Sequence, residues 1–268
     1  MGFRDFVWRV RLLVKRTLRE LRLEWLRYRV WNTSSGEMLD LGPLRIRVTD
    51  GPNAYMQFKD EMVRQIYAFS TASDKPRVID GGANMGVFAL STLRDHPRAR
   101  ITAFEPDPAI YAILRENLAL NGAAHVTTIN AALGAADGEM SFVADGQAGG
   151  ALDAGGQMRV SVVPLSRYLT DDVDFLKLNI EGAELDVLRE VADAGVLSRV
   201  RAMVVEYHGW PGGEQRLGAI LTLLADAGFR YMVHDQDEQS NPKTKPPFQP
   251  PGDAPWFALI YAWRTGTR

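Results

Sequence analysis

The sequence predicts an α/β fold: a mainly parallel sheet with an antiparallel hairpin at one edge, preceded by a basic amphipathic helix. From residue 77 onward, short apolar runs alternate with segments of helical period, the pattern of parallel strands joined by right-handed crossovers. The last two apolar runs, 229–235 and 256–263, flank a loop with no helical pattern, which predicts the hairpin. Upstream, Val7, Val10, Val14, Leu18, Leu21, Trp25 and Tyr28 step by three or four within residues 3–30, the spacing of one helix face.

The remaining elements follow in order. Residues 37–49 alternate around Gly42 and Pro43 and read as a hairpin, and Asn53 is placed to cap a helix running to about residue 69. The run 78–80 is a short buried strand, followed by a glycine turn and a helix to Arg94. Strands at 101–105 and 126–130 bracket a helix over 108–121. Two strand-like pieces lie within 138–163 around a glycine-rich loop, 146–156. Then come a strand at 175–180, a helix at 184–194, a strand at 200–207 and a helix at 214–227. The loop 235–255 holds six of the 14 prolines. Both loops read as variable connections or as caps over a pocket that select the substrate.

Composition bounds the function. The chain has 268 residues, 46% of them apolar, enough for one sizeable core. It has no cysteine, which excludes disulfides, thiolate metal sites and cysteine nucleophiles and suits a reducing compartment. No run of about 18 apolar residues exists to span a bilayer, and arginines interrupt the N-terminal apolar stretches where a signal peptide would need continuity. The expectation is a cytoplasmic protein. Net charge is −2, but residues 1–30 carry nine Lys or Arg against three acids, a surplus of six that leaves −8 for the rest. This asymmetry separates an appendage (1–35) from a body (36–268), and allows the helix to dock on the body or a partner subunit, or on the inner face of an anionic membrane.

In a parallel sheet, ligands bind beyond the carboxyl ends of the strands where strand order reverses. The first parallel strand ends in Asp80-Gly81-Gly82-Ala83-Asn84-Met85-Gly86 and a helix follows. Glycines permit a sharp turn and close approach of a ligand, and the helix N-terminus offers free N–H groups. The second strand ends in Glu105, 25 residues after Asp80, where a carboxylate can accept both hydrogen bonds of a ribose diol. A nicotinamide dinucleotide wants glycine at the middle of G-x-G-x-x-G to admit its pyrophosphate. Here that space holds side chains, Ala83 and Asn84. S-adenosyl-L-methionine (SAM) has no pyrophosphate, and its cationic groups favour a nearby carboxylate such as Asp80.

The segments VIDGGANMGVFAL, FEPDP, NAALG with DGEMSF following, and LKLNIEGAELDVLRE, in this order and spacing, resemble the FkbM-type methyltransferase family over roughly residues 55–235. The resemblance implies a class I (Rossmann-like) methyltransferase fold with a mainly parallel seven-stranded sheet. It also implies SAM as cofactor and methyl transfer to a hydroxyl of a sugar, glycan or secondary metabolite. Carried over by position, Asp80, Gly81, Gly82, Asn84, Gly86, Glu105 and Pro106 would hold SAM, with Asn130 and Ala131 bordering the adenine.

One position departs from the family. Asn179 stands where the family usually has aspartate, at the end of the strand beside the transferring methyl. An amide is no general base and a poorer ligand for a hard cation, so no metal set is expected. Asn179 can still position substrate or SAM. The proton acceptor is then sought in Glu181 of the same loop, or in Glu206 and His208 at the end of the next strand. His208 is attractive as an imidazole with an ordinary pKa near neutrality. The other histidines, His96, His125 and His234, read as structural. Two further readings are weighed: a nucleic-acid methyltransferase, for which the acidic body speaks against the basic helix, and a catalytically silent SAM-binding protein, which Asn179 keeps open.

Overall fold

The computed structural model describes residues 3–41, 44–143, 151–152, 158–210, 212–235 and 256–265. The chain opens with helix α1 (Phe3–Val30), then a two-stranded antiparallel ribbon of β1 (Met38–Asp40) and β2 (Arg45–Arg47). The turn expected at Gly42 and Pro43 lies outside the described residues. Helix α2 (Gly51–Gln57) follows. Asp50, not Asn53, caps it: the Asn53 backbone N–H donates to Asp50 Oδ1 at 2.8 Å. Pro52 fills the first turn, where its missing N–H costs nothing, and so fixes the start earlier than expected. The expected helix to residue 69 does not run through. It widens into a π-helical turn, Phe58–Arg64, closed by Gln65 at φ +56°, an irregularity often found at functional sites.

The body then alternates: β3 (Arg77–Gly81), α3 (Val87–Asp95), β4 (Arg100–Phe104), α4 (Pro108–Leu120), β5 (Thr127–Ile129). Asp107 caps α4 by accepting from the N–H groups of Ala109 and Ile110. Next come β6 (Ala132–Gly134), β7 (Gly138–Val143), β8 (Ala151–Leu152) and β9 (Met158–Pro164). These four form a sheet of their own, in the order β6-β9-β7-β8, which the sequence pattern did not separate from the main one. Most of the glycine-rich loop between them lies outside the described residues. The chain returns to the main sheet with β10 (Val173–Leu178), α5 (Glu184–Asp193), β11 (Val200–Gly209), α6 (Leu217–Asp226), β12 (Phe229–Asp235) and β13 (Trp256–Arg264). The proline-rich stretch 236–255 also lies outside the described residues.

The main sheet has seven strands in the order β12-β13-β11-β10-β3-β4-β5. Pairing is parallel from β5 through β11, and β13 runs antiparallel between β11 and β12, which gives the expected edge hairpin. Strand order reverses between β3 and β10. The central strands are buried on both faces, as a sheet sandwiched by helices requires. Val78, Phe175 and Val204 point to the layer of α2, α3 and α4, while Ile79, Leu176, Met203 and Val205 point to α5 and α6. Buried Asn117 of α4 ties three elements together: it accepts from Arg47 N and donates to the carbonyls of Arg47 and Met85. Among the described residues, no helix is long and apolar enough to cross a membrane.

Candidate active site

The site is built where β3 and β10 part. Gly82 adopts φ +79°, and a Cβ there would stand 1.8 Å from the carbonyl oxygen of Asn179. Only glycine lets the turn after β3 pass this close to the end of β10. Gly86 turns into α3 at φ +91°, where a Cβ would press on Leu114. Asn84, between them, sits at φ +47°, and its side-chain oxygen accepts from Met85 N at 2.7 Å, the local bond that makes asparagine tolerable in the left-handed region.

Glu105 reaches this turn from the end of β4. One carboxylate oxygen accepts from Asn84 N and the other from Asp107 N, both at 2.9 Å. Burial pushes the Glu105 carboxyl up to about 7, against these backbone bonds that favour its charge. Asn130 donates to the carbonyls of Glu105 and Pro106, which pins the loop after β4. Ala131 is buried beside it. The sequence-predicted cofactor residues therefore gather at one end of the sheet.

A second set of residues closes the other side of the turn. Lys177 lies opposite Asp80 in the ladder and donates to its Oδ1 at 2.9 Å and to the Gly82 carbonyl at 2.8 Å. A lysine within an apolar strand is the signal the sequence carries for this pair. Tyr67 comes from the segment after the π-helical turn and donates its hydroxyl proton to Glu206 of β11. Its oxygen can then only accept, so the Asn179 amide presents Nδ2 to it at 3.4 Å and turns Oδ1 elsewhere. Burial, then the neighbouring Glu206, raises Tyr67 well above its usual value, and burial also raises Glu206. Glu61, on the π-helical turn, is pushed up to about 8 by burial. No sequence motif announces Tyr67 or Glu61, which lie more than 100 residues from their β10 and β11 neighbours.

His208 is not the imidazole of ordinary pKa that the sequence suggested. It lies within β11, 5% exposed, with Nε2 3.3 Å from Glu181 and Nδ1 3.2 Å from Glu184. Burial alone would lower its pKa, but the two carboxylates outweigh it and hold the ring well above its usual value. As an imidazolium it has no lone pair with which to take a proton. Trp210 stacks on it, with ring centroids 5.7 Å apart. Glu184 Oε1 also accepts from the N–H groups of Ile180 and Gly182, so it organises the turn after β10. That turn holds Glu181 at φ +57°, a strained placement for a non-glycine residue. Among the described residues, no three His, Asp or Glu side chains gather as a metal-ion ligand set.

Residues 80–231, from Asp80 into the start of β12, match the model of the methyltransferase FkbM domain. The chain belongs to the FkbM methyltransferase family. It is 28% identical over 237 residues to methyltransferase sdnD of Sordaria araneosa, covering 74% of this chain and 90% of that one. It is 30% identical over 198 residues to the 31-O-demethyl-FK506 methyltransferase FkbM of Streptomyces tacrolimicus, covering 60% and 74%. The crystal structure of a methyltransferase FkbM from Methylobacillus flagellatus KT is similar at TM-score 0.47 and 14% identity, covering 90% of this chain and 58% of that one.

Proposed function

We propose that this FkbM-family methyltransferase moves a methyl group from SAM to a hydroxyl oxygen of a small molecule or glycan. The observation that carries the cofactor assignment is a pair of acceptors. Asp80 Oδ2 on β3 and Asn179 Oδ1, just past the end of β10, are both buried beside the glycine turn, and neither has a hydrogen-bond partner among the described residues. A buried acceptor left without a donor costs free energy, and an ammonium offers these two atoms both donors and positive charge. The residues present therefore fit SAM. Asp80 and Asn179 would hold its amino-acid end, Glu105 its ribose, and Gly81, Gly82, Asn84 and Gly86 would give it backbone access. Asn130, Pro106 and Ala131 would border the adenine.

Bound SAM supplies an activated methyl group, so the chain's work is to orient the acceptor, exclude water and receive one proton. Positioning can supply most of such a rate enhancement. Tyr67, Asn179 and Glu206 form the hydrogen-bonded wall against which the acceptor would be oriented. Glu181, which keeps 15% side-chain exposure beside buried His208, is the proton acceptor in this reading. His208 acts through it, as a positioning residue. A relative named for a 31-O-demethyl substrate supports oxygen as the acceptor atom.

The test is calorimetric SAM binding followed by transfer of methyl label to a panel of hydroxylated acceptors. SAM binding with roughly micromolar affinity and label recovered as a methyl ether are expected. Absence of SAM binding, or tight NADH binding, would overturn the reading. SAM binding without transfer to any acceptor would mark a silent binder.

A further inference from the structure

We infer that the outward face of α1 is a docking surface for an anionic lipid membrane. The helix turns Leu23, Leu26 and Val30 inward, where they are buried, and it packs against α2 and the π-helical turn. The apolar stripe read from the sequence is a different face. Val14, Leu18, Leu21, Trp25 and Tyr28 are 50%, 60%, 62%, 46% and 84% exposed. They recur at steps of four, three, four and three, which makes one continuous band about 20 Å long on the helix surface. A contiguous band of large apolar side chains left exposed among the described residues marks an interaction surface.

Charge selects the occupant. Arg4, Arg11, Lys15, Arg22 and Arg29 recur at steps of seven, four, seven and seven, so these positions share one flank of the stripe. The surplus of six positive charges in residues 1–30 stands against an acidic remainder. A second copy of the helix would bring two such cationic segments together, whereas an anionic lipid surface neutralises them. Trp25 and Tyr28 have the amphipathic rings that settle at headgroup depth, and the Arg29 guanidinium lies 5.7 Å from the Trp25 ring centroid. A long helix with one apolar face, a basic flank and low overall hydropathy lies in the plane of the interface rather than across it.

The test uses the full chain and sedimentation with vesicles of phosphatidylglycerol and phosphatidylcholine, or of phosphatidylcholine alone. Binding to the anionic vesicles is expected, at least about 10-fold weaker to the neutral ones and weakened by salt. Leu21→Gln, Trp25→Gln and Tyr28→Gln combined should abolish it with the melting temperature unchanged, because these side chains lie outside the core. Arg11→Gln, Lys15→Gln and Arg22→Gln combined should weaken it roughly 100-fold. No binding to anionic vesicles at low salt would overturn the inference, as would equal binding by the apolar triple variant. A solution dimer that this variant converts to monomer would overturn it too, making a second copy the occupant.

Discussion

Lys177 Nζ stands 2.9 Å from Asp80 Oδ1, and the two side chains are 2% and 0% exposed. The pair is fixed by the ladder itself, since these residues are register partners on β3 and β10. Burial works against the Lys177 charge, yet Asp80 and Glu61 hold its pKa above the usual lysine value. Charges this deep are tolerated only in pairs, and removing one partner leaves the other uncompensated.

Lys177→Met should therefore lower the unfolding free energy by about 3–5 kcal/mol in a urea titration. Adding Asp80→Leu should recover most of that loss, because an apolar pair can replace a buried ion pair. The double variant should bind no SAM. A single Lys177→Met variant as stable as the wild type would show that the pair is not structural.

Gly82→Ala tests the turn. The new Cβ would overlap the Asn179 carbonyl, and the residue would keep a positive φ, which alone costs on the order of 1 kcal/mol. The strand ends must move apart to relieve the overlap. The expected result is loss of SAM affinity well beyond the loss of stability, read by calorimetry on the folded fraction. Unchanged affinity would mean that the close approach of this turn to Asn179 does not shape the cofactor site.

Stability should fall as pH rises, the reverse of ordinary acid denaturation. Burial raises Glu105 to about 7 and Glu61 to about 8, from ordinary values of 4.5. Between the ordinary and the raised values the folded chain holds protons that the unfolded chain has released, so each pH step upward destabilises the fold. His208 adds the same sign: its contribution is complete below its ordinary value of 6.5 and is lost as pH climbs through the raised one. The urea midpoint should thus decline from about pH 5 to about pH 8. Glu61→Gln combined with Glu105→Gln should flatten that slope, and an unchanged slope in this variant would refute the assignment.

Much of this was legible in sequence because it is local. The glycine turn, the carboxylate ending β4 and the alternation of strand with helix depend on neighbours a few residues away. What was hidden depends on long-range placement. The wall of the site takes Tyr67 to Glu206 across 139 residues and Lys177 to Asp80 across 97, and no spacing rule reaches that far. The α1 stripe was legible as a stripe, but periodicity does not say which face docks. Three buried residues, Leu23, Leu26 and Val30, took the body, and the longer stripe was left outside. The strands within 132–164 had ordinary alternation, which cannot assign them to a second sheet. His208 was misread because its strand runs two residues further than its apolar pattern, carrying the ring between Glu181 and Glu184.

That placement makes the pH profile of turnover the decisive measurement for mechanism. If His208 were the base, activity would rise as pH climbs past the ordinary imidazole value, about 6.5, to the raised one at which the ring loses its proton. If it is the imidazolium that holds Glu181 and Glu184 in place, activity should persist through that range and fall only at the higher pH where the ring loses its proton. Glu181→Gln should lower kcat about 10- to 100-fold with SAM affinity near wild type, since the amide keeps the size of the side chain but not its basicity. His208→Gln should cost stability as well, because Glu184 would lose its charged partner in a buried turn. Asn179 puts an amide where a hard cation would want a carboxylate, so turnover should survive a chelator in all of these proteins. Activity abolished by chelator and restored by Mg²⁺ would reassign Glu181 and Glu206 as ligands, and full activity in Glu181→Gln would leave proximity alone to carry the reaction.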